Sequence, residues 1–585
     1  MKTTKKHKIA ICLTILIGLL ALLPLYSATI ANAQEMGSFF TLHLHCTPEG
    51  SYRVEYGEVI KRELAKIGIN VELEVLDWSV IRAMEIGEEV TKTFEEGGMD
   101  MWLSSGRFEI DPDLNKQEFE SSSMFERGGR MNAAGINDAY MDWLMAEQAT
   151  EMNETRREEL WEKFCYHWMD EMPVVPMIKD QHIHAFSDDM NTEGIDFYSA
   201  YRGHIISDPI FCLQKAHIPG KDTIVFAEWF TTPYLWAYWG WSYNAGWFRT
   251  LVRWQPDYTI APDLAESWNV SSDQKTYTFH LRDTVWYGGE GEPLVPLTSE
   301  DVKFTYDTIM REDSPSWSKA ILEQYIESIE TPDNSTVVIH LHEPSPIFLW
   351  VLGFYNQMEI VPKHWLADVP FEEWSEYQAN NYPPSIGPWR VIEVEWGDHY
   401  KYEANPYYWD GEPPTKYLIY KIIPETATQL SSYKAGELDL LDMGFTHIAS
   451  EIEALPNTET RRVQYALHLT LNTNNRHPIL NNPLVRKAIA HSLPLDEINA
   501  ELNGGYGFPS NLPMPPEHPF LPEDITDPLP YNIETAKQLM EQAGYDYDLI
   551  TTEPTVLPLD WIAVGVIVGL IVGAGATAAY LRRKQ

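Results

Sequence analysis

The chain has few cysteines, four in 585 residues, and a pronounced shortage of positive charge: 43 lysines and arginines stand against 86 aspartates and glutamates, a formal net charge of −43. Scarce cysteine with no Cys-x-x-Cys pair excludes a disulfide scaffold and a zinc ribbon. Cys12 falls in an apolar N-terminal run, which leaves Cys46, Cys165 and Cys212. That odd number permits at most one bridge and points to buried free thiols. The acidic balance and the lack of a basic patch exclude nucleic acid as a partner and keep an exposed protein soluble. Catalytic signatures are missing too. There is no G-x-S-x-G elbow, no H-E-x-x-H, no Walker loop and no G-x-G-x-x-G after a strand. Carboxylates are too abundant to nominate a catalytic pair. The expectation is a protein that is not an enzyme and has no cofactor and no resident metal.

What is present begins with two apolar runs. Lys2, Lys5, Lys6 and Lys8 precede an apolar stretch from Ile9 to about Leu25, and Ala31-Asn32-Ala33 offers a small-residue cleavage site. This is the layout of a secretory signal peptide over residues 1–33. Its removal deletes four lysines and no acid, taking the formal charge from −43 to −47. Near the other end, Trp561–Leu581 is an uninterrupted apolar stretch of membrane-spanning length, followed by Arg582, Arg583 and Lys584. The basic flank places the C-terminus in the cytoplasm. A spacer over 551–560 then ties the bulk of the chain, outside the cell, to a single-pass anchor in the cell membrane. Sequons at Asn153, Asn269 and Asn334 are compatible with surface glycosylation.

Between these ends the length exceeds what one hydrophobic core serves, so two lobes are expected. Strand-like and helix-like segments alternate, which points to α/β architecture. "FTLHLHC" (Phe40–Cys46) reads as a strand, Tyr52–Gly68 as an amphipathic helix stopped by a glycine, and "INVELEVLDW" as a second strand, together one βαβ unit. A helical tract follows from Asp138 to Met172, halted where Pro173 and Pro176 impose extended structure. Residues Cys212–Lys221 read as a linker. "PLTSEDVKFTYDTIM" opens a helix with Thr298 or Ser299 as N-cap. Helix-rich stretches run over Leu484–Asn503 and up to Asp546.

Several of these stretches carry a family resemblance. "LVRWQPDYTIAPDLAESWNVSSDQKTYTFHLRDTVWY" (Leu251–Tyr287), "PLTSEDVKFTYDTI", "SIGPWRV" (Ser385–Val391), "EANPYYWDGEPP" (Glu403–Pro414), "SSYKAGELDLL", "LTLNTNNRHPILNNPLVRKAIAHSLPLDEI" and "NIETAKQLMEQAGYD" stand in one order. In that order they resemble the extracytoplasmic solute-binding proteins of family 5, the dipeptide, oligopeptide and nickel receptors of ABC importers. The family's C-terminal portion resembles residues 40–217, ahead of residues 218–550, which resemble its N-terminal portion. The chain thus resembles a circular permutant, with the family's own ends joined through "KAHIPGKD". The resemblance implies a two-lobe fold like that of periplasmic binding proteins, of the type II large cluster with an extra subdomain. Lobe I would comprise about 221–470 with a return from 173–217, and lobe II about 475–550 with 40–172. The hinge would lie near "LTLNTNN" and "EMPVVP". It implies a monomer that traps a peptide or other small solute and docks on ABC permease subunits. A surface sensor, or a sugar or nickel receptor of the same fold, is the alternative reading.

The resemblance also implies a site. Peptide-binding members hold the ligand's amino group with an acid in the element matching "GMDMWLSSGRFEIDPD" (Gly98–Asp113). Ungapped matching places it at Glu109, and the Asp-Pro dipeptide places it at Asp111; Arg107 sits beside them. The family's usual tryptophan is here Gly106, a departure that bears on peptide specificity. Trp229, Tyr234, Trp236, Trp239 and Trp241 stand where family members begin to line the cleft and could stack on a ligand, although core packing is the common fate of such rings. Asn472 and Asn474 could bind an extended ligand or form a turn. His43 with His45, and His182 with His184, repeat a strand spacing but have no third fixed ligand, so they read as sheet histidines.

Overall fold

The computed structural model describes residues 37–47, 53–107, 116–129, 131–193, 213–228, 248–254, 259–314, 316, 318–353, 358–443, 448–514, 518 and 520–550. The expected signal peptide, spacer and anchor lie outside these residues. Among the described residues no helix is long and apolar enough to cross a membrane.

The βαβ unit forms as its pattern demands. Strand β1 (Phe40–Cys46), helix α1 (Arg53–Ala65) and strand β2 (Ile69–Val75) follow one another, and β1 and β2 pair in parallel from Phe40 opposite Ile69 to Cys46 opposite Val75. Helix α1 ends in a turn through Gly68, at φ +78°, where a side chain would be strained. Helix α2 (Trp78–Ile86) then leads to β3 (Met101–Arg107), parallel to β1 on its other side.

The helical tract divides into α3 (Ala139–Thr150) and α4 (Glu154–Glu171). The cause lies in the side chains at the two starts. Asp138 accepts from the N–H groups of Tyr140 and Met141, and Asn153 accepts from that of Arg156, so each helix has its own N-cap. Past Met172 the prolines do extend the chain, into the long strand β4 (Val175–Ser187).

The remaining strands of the main sheet are β5 (Thr223–Glu228), β6 (Trp389–Glu395), β7 (His399–Ala404), β8 (Tyr417–Ile422), β9 (Leu440–Met443), β10 (Thr458–Thr473) and the short β11 (Phe508–Pro509). They lie in the order β6-β7-β8-β5-β9-β4-β10-β3-β1-β2, with β11 on β4. A separate antiparallel sheet orders Ile326–Asp333, Thr336–Leu341, Thr276–Leu281 and Ala265–Val270. Its buried faces share the core of the first lobe. Helix α5 (Ser299–Ile309) beside it is capped by Thr298, which exchanges hydrogen bonds with Asp301.

Two large cores result. One gathers residues from Phe186 to Leu440; the other joins Leu42–Ile178 to Leu469–Met540. The second core is therefore built from both ends of the chain. Helix α6 (Pro483–Ser492) packs on α1 and on α4, α7 (Leu495–Leu502) packs on α1, and α8 (Ile533–Gln542) packs on α6. Polar bonds fasten the two halves: Asn503 Nδ2 donates to Tyr56 Oη at 2.8 Å, Trp168 Nε1 to the Asn511 carbonyl at 3.0 Å, and Tyr531 Oη to Glu63 Oε2 at 2.9 Å. Strand β4 serves both cores, with Val175, Met177 and Ile178 in the second and Phe186 in the first. Along β4 the passage from the second core to the first falls between Ile178 and Phe186, a stretch that pairs with β10. The β4–β10 register shifts there, between Gln464 and His468, and a bulge of that kind bends paired strands.

Candidate functional site

Strand direction fixes where a cleft can lie. Strand β3 starts at Met101 opposite Thr473 and ends at Arg107 opposite Leu467, so it runs along β10 toward the first core. Strand β9 starts at Leu440 opposite Phe186 and ends at Met443 opposite Ile183, so it runs along β4 toward the second core. Strand β5 is parallel to β9, and β8 to β5. The carboxyl ends of the two parallel portions thus face each other across the middle of β4 and β10. In open α/β sheets that edge holds ligands, at the point where strand order reverses. Strand β1, with β2 on one side and β3 on the other, marks such a point.

The side chains at that point form a polar group. Arg53, in the first turn of α1, donates from Nη2 to Ser105 Oγ at 2.9 Å and from Nη1 to Thr47 Oγ1 at 3.3 Å. Its guanidinium lies 5.7 Å from the ring centre of Trp78, which is 40% exposed. On the opposite face of β3, Asn472 donates to Ser104 Oγ at 2.8 Å. Behind this group Glu85 is buried, accepting from Trp102 Nε1 at 2.7 Å and from Arg82 Nη1 at 2.9 Å. Burial pushes the Glu85 carboxyl above its ordinary value against the opposing pull of Arg82 and Trp102. A planar guanidinium held by two hydroxyls and an indole face is suited to anions and to flat polar groups.

Of the residues singled out from sequence, Asn472 bonds Ser104, which faces the side of β3 opposite to Ser105 and its partner Arg53. Arg107 closes β3 at the carboxyl edge, and its side chain lies outside the described residues. Glu109 and Asp111, in the segment that leaves β3, and Trp229, Tyr234, Trp236, Trp239 and Trp241, in the segment that leaves β5, also lie outside them. Asn474 follows the turn-forming alternative. It is wholly buried, its Nδ2 donates to the carbonyls of Lys92 and Met99, and its Oδ1 accepts from the N–H of Arg476. It holds a turn, with both Nδ2 hydrogens spent on backbone carbonyls. Arg53, Thr47, Ser104, Ser105, Trp78 and Glu85 were missed. The signal was available, because a βαβ unit predicts its own carboxyl edge and the first residue of its helix.

The histidine pairs do not converge. Strands β3 and β10 separate β1 from β4, His43 stacks on Phe94 with ring centres 3.5 Å apart, and His45 and His184 are buried in the sheet. Cys46 and Cys165 are buried free thiols. Burial pushes Cys46 up to about 11 and Cys165 further up, which leaves both unreactive at neutral pH. Cys212 lies outside the described residues.

The chain is similar to several known proteins. The chain is 31% identical over 313 residues to a putative ABC transporter peptide-binding protein of Brucella ovis, covering 52% of this chain and 56% of that protein. It is 26% identical over 352 residues to heme-binding protein A of Haemophilus influenzae, covering 57% and 62%. A periplasmic binding protein of Helicobacter pylori in complex with a peptide aligns with a TM-score of 0.46 at 24% identity, covering 55% of this chain and 66% of that one. The chain spans little more than half the length of the curated relatives it matches first. The family model for bacterial extracellular solute-binding proteins, family 5, matches residues 259–560, just over half of the sequence, and the chain belongs to that family.

Proposed function

We propose that this protein is the membrane-anchored receptor of an ABC importer, closing its two lobes on a peptide and presenting it to a permease. The observation that carries the reading is the opposition of two carboxyl edges across β4 and β10, with the Arg53 group at one of them. Two strands bent at a register shift are the sort of few-residue hinge that allows lobe closure. A ligand touching both edges stabilises the closed form by its differential affinity alone. The family's peptide-binding relatives favour a peptide as that ligand.

The permuted order is part of this reading. The family match leaves out residues 40–217, and those residues build the second core together with Leu469–Met540. Moving chain ends to the surface leaves such a core unchanged. Isothermal titration and thermal shift of the purified full-length chain against di- and oligopeptides, sugars and Ni²⁺ test the substrate class. Peptides alone should bind and raise Tm. Stabilisation by sugars or Ni²⁺ without peptides would overturn the peptide assignment.

A further inference from the structure

Helices α3 and α4 bring together a histidine and two carboxylates that the solute-binding reading does not use. Asp138, His167 and Glu171 each offer one ligand atom, and these atoms lie within 4.8 Å of one another. His167 and Glu171 stand four residues apart, on one face of α4, and Asp138 comes from the N-cap of α3.

Their orientation is set by neighbours. Asp138 Oδ1 accepts from the N–H groups of Tyr140 and Met141 at 2.8 and 2.9 Å, which leaves Oδ2 aimed at His167 Nε2, 2.7 Å away. The Tyr140 ring meets the His167 ring edge-on, with centres 5.0 Å apart and planes at 90°. Outer contacts that fix ligand and ring orientation are what a metal site needs besides its ligands. Glu171 is the last residue of α4, at the negative pole of the helix, where an acid is unfavourable and a cation is favoured. Arg486 Nη2 lies 3.9 Å from Glu171 Oε2 and donates to the Glu171 carbonyl at 2.7 Å. All three ligands are partly exposed, so water can complete a coordination sphere.

We propose that Asp138, His167 and Glu171 form a divalent transition-metal site of the zinc class. One imidazole with two carboxylates suits Zn²⁺, which takes nitrogen and oxygen ligands at three or four positions. Calcium and magnesium call for all-oxygen sets and are disfavoured by the imidazole. Binding replaces the His167–Asp138 hydrogen bond, with Nε2 facing the metal as a lone-pair donor and the ring proton on Nδ1.

The test titrates ZnCl₂ into the purified full-length chain by calorimetry, with Co²⁺ absorption as a second readout. One equivalent should bind at this site, raise Tm and give the visible bands of a cobalt centre with a nitrogen ligand. Asp138→Asn keeps the helix cap, because asparagine caps as well as aspartate, yet removes the carboxylate. It should weaken zinc at least about tenfold without lowering Tm in the absence of metal. His167→Gln should do the same and alter the cobalt bands. No saturable binding, or binding that survives both substitutions, would overturn the site.

Discussion

The backbone N–H of Gly37 donates to the carbonyl of Ile550 at 2.7 Å, so the two ends of the described chain meet on one edge of the second lobe. Rings close the seam: Phe39 lies 5.2 Å from Tyr545 and 5.0 Å from Tyr547 between centres, and Phe40 lies 5.1 Å from Tyr545. Gly68 sits beneath, and a methyl group there would come within 2.7 Å of the Phe39 ring and 2.8 Å of Ile550 Cδ1.

Gly68→Ala should therefore lower stability by about 2–3 kcal/mol, from left-handed strain together with displacement of the seam. Gly97 has a similar φ of +87° and open space around its would-be methyl, so Gly97→Ala should cost only about 1 kcal/mol. Urea unfolding of the two variants checks the difference. Equal losses would mean that the seam contributes nothing.

In the first lobe, Arg249 and Asp263 form a wholly buried pair, Nη2 to Oδ2 at 2.5 Å and Nε to Oδ1 at 3.2 Å. Removing one charge leaves the other desolvated, so Arg249→Met should destabilise by about 3–5 kcal/mol. Arg249→Met with Asp263→Leu removes both charges and should recover much of that loss. Chemical denaturation of both variants decides it; a double variant no better than the single would exclude the uncompensated charge as the cause.

How much of this the sequence discloses depends on the range of the interaction. Strand β1 and its parallel partner followed from alternation and a glycine stop, because period and turn chemistry are local. The break between α3 and α4 depended on Asn153 acting as a cap, which a strongly helical stretch such as "ETRREELWEKF" hides. Arg53 and Ser105 are 52 residues apart and meet only because β3 pairs with β1. Asn474 looked like a ligand group because its type suits ligands and turns alike. Its three hydrogen bonds reach back to Lys92 and Met99 and forward to Arg476, and only the fold reveals the first two.

Glu85 gives a pH prediction. Burial raises its folded pKa above the ordinary 4.5, so in a window above that value the folded state keeps a proton that the unfolded chain has lost. Stability from this group is full below about 4.5 and falls as pH climbs through the folded pKa. Glu85→Gln keeps an acceptor for Trp102 and removes the titration. The variant should therefore gain on the wild type as pH rises from about 4 to about 8. Urea midpoints across that range measure the gain, and a constant difference between the two proteins would refute it.

The last prediction concerns Arg53. Its guanidinium is held by Ser105 and Thr47 and stacked on Trp78, at the carboxyl edge where β1 and β3 diverge. If peptides bind between the lobes, their carbonyls and terminal carboxylate are the groups this fork matches, through paired charge-assisted hydrogen bonds. Arg53→Lys keeps the charge but loses the planar fork and the stacking. Arg53→Gln loses the charge as well. Peptide Kd should rise by about threefold to tenfold for lysine and by tenfold or more for glutamine, the latter at least about 1.4 kcal/mol. Calorimetric titration with the tightest peptide from the panel reads both values, and circular dichroism verifies that each variant keeps its fold. Unchanged affinity in the glutamine variant would remove Arg53 from the site and shift attention to the opposite edge, where β5 ends.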